Sequence, residues 1–275
     1  MQTNKKIDFF EIMAWGFALV AFSPALLWLV RGLFQSQQLR DAMIIMLSAL
    51  AVLAVEQKIR PHVPRVGKAQ IAWLICAYAA FFVSQFFGVW GALVILAGLT
   101  MAIIAAGLAC FDKPRYVYAA GGAFYAFTLL SFFIKLFDLP LRIWAGELSA
   151  KILALFNKSV QLLASGSVNP QIAMRVDGKT YMVATECNGF GIISSCLILS
   201  IVMAIFSNSI SWWRRLLIPV ISILIAYFAN SMRIVFIVAT ATLADAKWYD
   251  FIHEFWGYFF FALALISVWI FSRKS

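Results

Sequence analysis

Long apolar stretches alternate with short polar connections along almost the whole of this chain. A bilayer is crossed by about 20 predominantly apolar helical residues, and stretches of that length recur from one end of the sequence to the other. They predict eight helices, which cover residues 8–30, 41–57, 69–87, 89–110, 116–137, 189–208, 215–238 and 253–272. This pattern is typical of an all-α polytopic membrane protein.

One polar interruption, residues 138–188, separates the fifth and sixth apolar stretches. Apolar residues recur at helical spacing over residues 141–163, with charged residues between them, and predict an amphipathic helix at the membrane interface. Asp177 and Gly178 then lie between two short segments with strand character. Both residues tolerate the positive φ of a two-residue turn, so the sequence predicts a β-hairpin directly before helix six.

Composition supports the membrane interpretation and narrows the possible partners. Hydrophobic residues make up 64% of the chain and charged residues 12%, and the mean hydropathy is +0.91, values that an ordinary soluble domain does not reach. The formal net charge of +10 is spread between the apolar stretches rather than gathered on one soluble domain. We therefore predict the lipid bilayer as a partner and no nucleic acid. Because no repeat or soluble boundary appears, residues 1–275 are predicted to form one membrane domain.

The positions of the basic residues predict the orientation of the chain in the membrane, because cytoplasmic connections are enriched in Lys and Arg. The basic residues on the side of the N-terminus are Lys5, Lys6, Lys58, Arg60, Arg65, Lys68, Lys113, Arg115, Arg214, Arg215, Arg273 and Lys274. The short connections on the opposite side carry Arg31, Arg40 and Lys247 with Asp41, Asp245 and Asp250. Both termini are therefore predicted to be cytoplasmic in the inner membrane, with loop 138–188 outside.

Three ionisable side chains lie near the predicted outer ends of three different helices. Cys187 precedes helix six, Arg233 lies in the outer half of helix seven, and His253 begins helix eight. Ionisable groups near the membrane are costly to keep and are functional candidates by default. A thiol, a guanidinium and an imidazole are the components of a cysteine acyl-transfer site, so we predict that these three residues are catalytic.

Four neighbouring residues are predicted to support this trio. Asn188 and Gly189 follow the cysteine at the start of a helix, where exposed amides stabilise a thiolate. Glu186 acts in the opposite sense, because a negative charge beside the sulfur disfavours its ionisation. Asn230 lies one turn before Arg233 on the same helical face and indicates an organised polar site. The remaining cysteines, predicted to be inert packing residues, are Cys76, Cys110 and Cys196.

The motifs that contain these residues resemble those of the exosortase/archaeosortase family of multi-pass membrane transpeptidases, over roughly the second half of the chain. The matching motifs are Pro140, Val183-Ala-Thr-Glu-Cys187-Asn-Gly189, Asn230-Ser-Met-Arg233 and His253-Glu-Phe-Trp-Gly257. Many members carry Ala-Cys-Ser-Gly followed soon by an arginine, whereas this chain has Glu-Cys-Asn-Gly followed by Phe-Gly-Ile. The departure leaves the cysteine, arginine and histidine in place.

The resemblance implies a cysteine peptidase or transpeptidase that cleaves the C-terminal sorting signal of exported proteins. Such a signal consists of a short motif, a transmembrane helix and a basic cluster, and the motif is Pro-Glu-Pro in the best-known bacterial branch. Cys187 would form a thioester acyl-enzyme, His253 would transfer protons, and Arg233 would stabilise the oxyanion or hold the thiolate and substrate. No cofactor and no metal is implied. Transfer to an envelope acceptor and hydrolysis both stay open.

Other classes of function fit the sequence less well. In a transporter or channel, Arg233 and His253 would line a pathway, but the centres of the first five spans hold almost no ionisable residues and no internal repeat appears. A metalloprotease is disfavoured because His62 and His253 are predicted on opposite sides and no His-Glu-x-x-His motif exists. A scaffold in polysaccharide or envelope assembly has no positive feature. The oligomeric state is not predicted.

Overall fold

The structure, a computed structural model, describes residues 9–62, 64, 67–156, 158–165, 171–183, 187–206, 211–243 and 246–273. Within these ranges, eight long α-helices accompany one small antiparallel sheet. The helices are α1 (Phe9–Gln35), α2 (Gln37–Glu56), α3 (Lys68–Ser84), α4 (Gly91–Cys110), α5 (Pro114–Leu155), α6 (Phe190–Phe206), α7 (Trp212–Leu243) and α8 (Tyr249–Arg273). The strands are β1 (Val160–Ser165), β2 (Gln171–Val176) and β3 (Lys179–Val183).

Six helices in the described ranges are long and apolar enough to cross a bilayer. These candidate spans are Ile12–Gln35, Gln37–Glu56, Gly88–Cys110, Pro114–Ile134, Trp212–Leu243 and Tyr249–Ser272. The helices α3 and α6 are also apolar, but each has 17 residues, a length of about 26 Å at 1.5 Å per residue. The prediction of about eight helices is confirmed, and the chain is a multi-pass membrane protein. Its orientation in the membrane stays a prediction.

The chain divides into two compact units, and the single membrane domain over residues 1–275 stays a prediction. The first unit comprises residues 1–40 and 47–131, and the second comprises residues 41–46 and 132–275. In the first unit α3 packs along α4, and a Cβ added at Gly98 of α4 would lie 3.1 Å from the Ala77 carbonyl oxygen. Small residues at such contacts let apolar helices approach closely.

In the second unit, α6, α7 and α8 pack against one another and the sheet covers an apolar cluster beside them. Ile172 and Met174 of β2 are buried in this cluster with Ile234 of α7. The second half of α5 joins the same cluster, and its Ser149 hydroxyl donates a hydrogen bond to the Ser231 carbonyl of α7 at 3.0 Å. These contacts hold the sheet over the part of α7 that contains Asn230 and Arg233.

The predicted hairpin is confirmed. Asp177 and Gly178 join β2 to β3 with φ values of +48° and +84°, as a type I′ turn requires. The Lys158 ammonium donates to the Asp177 carboxylate at 2.6 Å, and this hydrogen bond holds the pKa of that carboxyl below its ordinary value. One further strand, β1, was not predicted; its Val160 pairs with Val176 of β2.

The amphipathic segment before the hairpin has different boundaries from those predicted. A separate helix was expected over residues 141–163, but α5 continues through Pro140 to Leu155, and residues 160–163 belong to β1. Proline removes one backbone donor from a helix, and an established helix continues past it with a local distortion. The break predicted at residue 138 is therefore absent, and the segment is the second half of α5.

Candidate functional site

Cys187 lies in the connection between the sheet and α6. The strand β3 ends at Val183 and α6 begins at Phe190, so the cysteine directly precedes a helix, as predicted. Its side chain is buried, with 7% of the residue exposed. Gly189 has a φ of +79°, which glycine adopts without a steric cost. Glu186 lies outside the described residues, and its effect on the thiol stays a prediction.

The structure brings Cys187, Arg233 and His253 together from three different helical segments. The cysteine Sγ lies 3.5 Å from the His253 Nε2, and the Arg233 Nη2 lies 3.5 Å from the same nitrogen. Cys187 precedes α6, Arg233 belongs to α7 and His253 lies in the second turn of α8. The imidazole Nε2 therefore contacts both the thiol and the guanidinium.

The shared nitrogen limits the protonation state in which these contacts are favourable. A guanidinium has only donors, so its contact with Nε2 is favourable when that nitrogen carries a lone pair. The Cys187 sulfur lies at the same distance from this nitrogen. Both contacts are therefore compatible with an imidazole whose Nε2 carries no proton.

Gly257, the last residue of the third motif, provides space for the guanidinium. It lies one turn after His253 in α8, and a Cβ added there would lie 3.3 Å from the Arg233 Nη2 and 3.5 Å from its Nε. The first of these distances is tighter than most Cβ contacts, and the second is an ordinary van der Waals contact. Because Gly257 has no side chain, the Arg233 guanidinium packs against α8 at this position while it contacts the imidazole.

Asn230 fixes the main chain of the cysteine. Its Nδ2 donates to the Cys187 carbonyl oxygen at 2.9 Å, and the residue is only 1% exposed. A Cβ added at Gly189 would lie 2.6 Å from the Asn230 Cγ, so a larger residue at 189 would push this amide away. The predicted supporting residues Asn230 and Gly189 therefore contact each other as well as the cysteine segment.

Asn188 links the cysteine segment to α5 through a residue that the sequence analysis did not select. Its Nδ2 donates to the Asp138 Oδ1 at 2.6 Å, and its Oδ1 accepts from the Phe190 amide at 2.8 Å. The other Asp138 oxygen accepts from the Arg142 Nη2 at 2.6 Å. An Asp and an Arg four residues apart at the end of an apolar run are a recognisable helical ion pair, and this signal identifies Asp138 in retrospect.

A small cavity of about 20 Å³ lies beside the thiol. Its lining residues are Met174, Tyr181, Met182, Val183, Cys187, Ile234, Ile237, Val238, Tyr249 and His253. The Tyr249 ring stacks near the His253 ring, with centroids 6.2 Å apart and 29° between their planes. Neither Tyr181 nor Tyr249 was predicted to belong to the site. Tyr249 lies one turn before His253 in the sequence, and this spacing could have identified it.

Tyr181 is the residue of β3 that lines this cavity and carries a polar group at the end of its side chain. Its hydroxyl oxygen is buried and makes no hydrogen bond with any described residue. Burial raises the pKa of Tyr181, and the nearby Asp177 carboxylate raises it further. The hydroxyl is therefore protonated at neutral pH and available as a donor.

These observations define a multi-pass membrane protein with a cysteine, a histidine and an arginine gathered at one helix end. A family model described as transmembrane exosortase matches residues 11–270, a range that includes every residue of this candidate site. The chain belongs to the transmembrane exosortase family. No curated protein and no solved structure matches it significantly. The resemblance noted for the second half of the chain thus extends over nearly all of it.

Proposed function

We propose that this protein is a membrane-embedded cysteine peptidase and transpeptidase that removes the C-terminal sorting signal of exported proteins. The observation that carries the proposal is the 3.5 Å contact of the Cys187 Sγ with the His253 Nε2, beside the Arg233 guanidinium. In a chain of the exosortase family, this grouping supports acyl transfer. The substrates are exported proteins with a tail of a short motif, a transmembrane helix and a basic cluster, and the site faces the extracytoplasmic side.

In the first half of the reaction, the His253 Nε2 accepts the thiol proton and the Cys187 sulfur attacks the scissile carbonyl. A carbon–sulfur bond forms while the carbonyl electrons move onto oxygen. Arg233 offsets the negative charge, first on the sulfur and then on that oxygen. Because Glu186 precedes the cysteine and disfavours a second negative charge, this cationic neighbour is needed.

Collapse of the tetrahedral intermediate breaks the carbon–nitrogen bond and leaves a thioester on Cys187. The departing amine takes the proton from the His253 Nε2. A protonated imidazole beside a guanidinium is disfavoured by like charge, so Arg233 also promotes this proton release. An amine, a hydroxyl or water then attacks the thioester while His253 accepts its proton; the carbon–sulfur bond breaks, and the Cys187 sulfur takes the proton back from His253. The first two nucleophiles give transfer to an envelope acceptor, and water gives hydrolysis.

The supporting residues act by holding the nucleophile in place. Asn230 holds the Cys187 carbonyl, and Asn188 holds the start of α6 against Asp138. Both asparagines are almost completely buried, at 1% and 2% exposure. Buried side chains with fixed partners limit the motion of the segment that they support, and a fixed near-attack geometry contributes to rate.

The proposal is tested with an exported reporter protein that ends in a tripartite tail, co-expressed with this chain. Mass spectrometry of the reporter shows whether the tail is removed. We expect removal with the wild type and none with Cys187→Ala, and a matched control, Cys76→Ala, replaces an exposed cysteine of α3 and keeps wild-type processing. In the wild type, a reporter joined to the protein through a hydroxylamine-sensitive bond after rapid acid denaturation would identify the thioester.

Unchanged processing with Cys187→Ala would remove the acyl-transfer proposal. The transporter or channel alternative instead expects no removal of the tail by the wild type, because neither class of protein cleaves peptides. Panels of reporters that differ only in the short motif identify the preferred substrate.

A further inference from the structure

The strand β3 forms one edge of the sheet. Among the described residues the strand order is β1-β2-β3, so β3 pairs with β2 on one side and with no strand on the other. It ends at Val183, four positions before Cys187. An unpaired edge presents main-chain donors and acceptors that another extended segment can pair with.

The turn determines which groups of β3 point outward. In a hairpin with a two-residue turn, the pair that flanks the turn is hydrogen-bonded, and bonded and non-bonded pairs then alternate. The flanking pair is Val176 with Lys179, so the N–H and C=O groups of Thr180 and Met182 point away from β2. The pairing of β2 with β1 is consistent with this alternation. The Asp177 amide donates to the Ser159 carbonyl at 3.1 Å, so Val176 is free to bond to β3.

The outward edge of β3 borders the candidate nucleophile. The cavity beside the thiol is lined on one side by Tyr181, Met182 and Val183, and also by Cys187 and His253. The buried Tyr181 hydroxyl lacks a partner among the described residues, and a peptide carbonyl would supply one. The edge, the hydroxyl and the thiol thus converge on one space.

From these contacts we propose that the substrate segment next to the scissile bond binds in extended form as a fourth strand on β3. The Met182 N–H donates to a substrate carbonyl, and the Met182 carbonyl accepts from a substrate N–H. This pairing runs the peptide along the strand that leads to Cys187 and aligns the scissile carbonyl with the sulfur. The inference rests on the proposed peptidase function and specifies how its site recognises an extended peptide main chain.

The deciding variant is Met182→Pro in the full chain. Proline removes the outward N–H, and because that N–H takes no part in the β2–β3 pairing, the hairpin keeps its own hydrogen bonds. One hydrogen bond contributes about 0.5–1.5 kcal/mol, so processing of the reporter by this variant is expected to fall about tenfold. The matched variant, Met182→Ala, keeps the N–H and loses the half-exposed side chain, so its processing is expected to exceed that of Met182→Pro; equal losses in the two variants would assign the effect to the side chain.

A second variant tests whether the loss of processing becomes smaller with distance from Cys187 along β3. Thr180→Pro removes the other outward N–H, two residues farther from Cys187, and is expected to lower processing less than Met182→Pro. Integrity of the site is followed separately through the iodoacetamide alkylation rate of Cys187, in a background that lacks the other three cysteines. We expect this rate to be the same in both proline variants and in the wild type.

Wild-type processing by Met182→Pro, with Cys187→Ala inactive, would overturn strand addition and leave the proposed function intact. Processing that persists in Cys187→Ala would instead overturn the proposed function. If Met182→Pro slows alkylation as well, Thr180→Pro decides the matter: reduced processing with normal alkylation supports strand addition, and wild-type processing contradicts it.

Discussion

The two compact units treat buried polar side chains differently. In the first unit the buried hydroxyls of Ser84, Thr100 and Ser131 each donate to a carbonyl three or four residues earlier in their own helix. In the second unit the buried hydroxyls of Ser194 and Ser222 do the same, but the buried amides of Asn188 and Asn230 bond to other segments of the chain. A hydroxyl satisfied within its own helix does not position a neighbour, whereas a bond between segments does. The difference indicates that the second unit is built to hold specific groups in place.

The glycines show the same contrast. A Cβ added at Gly121 in the first unit would lie 2.4 Å from the Ile104 side chain, so this glycine permits apolar helix packing. In the second unit Gly189 gives space to Asn230, and Gly257 gives space to Arg233. At these three positions, glycine allows apolar packing in the first unit and makes space for polar side chains in the second.

The sharpest test of this contrast is the replacement of the second unit's histidine. His253→Gln removes the proton-accepting nitrogen beside Cys187, and loss of a general acid–base group lowers turnover by about 10²–10⁴-fold. His62→Gln, the matched change at the chain's other histidine, is expected to leave turnover unchanged. The measurement is the initial rate of reporter cleavage per mole of folded protein. Equal effects of the two substitutions would show that the contrast between the units has no catalytic meaning.

Asp138 tests whether bonds between segments matter without contact with the substrate. Asp138→Asn removes the charge that Arg142 and Asn188 share, and loss of charged hydrogen bonds of this kind costs about 1.5–3 kcal/mol. We expect a lower free energy of unfolding and an approximately tenfold lower kcat with little change in KM, since a displaced nucleophile affects mainly the chemical step. Asp138→Glu should recover part of the rate. A change confined to KM would contradict a positioning role.

In the first unit the expected effect is on stability alone. Gly121→Ala forces Ile104 to move, and overpacking of this kind costs about 1–3 kcal/mol. Gly16→Ala in α1 is the matched control, because an added Cβ there meets no atom within 4 Å. Thermal unfolding in detergent should separate the two variants, and both should keep wild-type turnover per folded molecule. A specific loss of turnover in Gly121→Ala would give the first unit a role in the chemistry.

The smallest expected effect concerns the turn of the hairpin. The pKa of Asp177 is lower in the folded protein because Lys158 donates to the carboxylate. Its stabilising contribution is therefore complete above the unfolded pKa of about 4 and is lost as the pH falls through the lower folded value. Asp177→Asn keeps a residue that tolerates positive φ, so unfolding temperatures of variant and wild type should differ slightly at pH 7 and converge in acid. A difference that persists at low pH would assign the effect to turn geometry.

Much of the fold follows from local sequence, because apolar runs and the Asp177-Gly178 turn are readable within a short window. The course of α5 was not predicted, because Asp138 and Pro140 together are typical of a helix end. In the structure the helix continues, and Asp138 pairs with Arg142 one turn later and bonds to Asn188. Strand β1 was missed because a short apolar run fits a helix as well as a strand. Its pairing with β2, which a local pattern does not show, makes it a strand.

The candidate site divides in the same way. The grouping of Cys187, Arg233 and His253 was predicted from motif order and topology, and the structure brings the three together. Tyr181 was not predicted, because its relation to the thiol depends on how the hairpin folds back over α7. Contacts between residues far apart in sequence leave no periodic pattern from which to infer them.

The contacts of Asn230 and Arg233 fix the number of residues that separate them in α7. One bonds to the cysteine main chain and the other contacts the imidazole, and both are carried by the same rigid turn of α7. Each residue of a helix advances the direction of the side chain by about 100°. Deletion of one residue between them would therefore place the two side chains on opposite faces, and insertion of one would rotate one relative to the other by about 100°. Substitution of the two intervening residues preserves the spacing of the partners, whereas a change in the number of those residues does not.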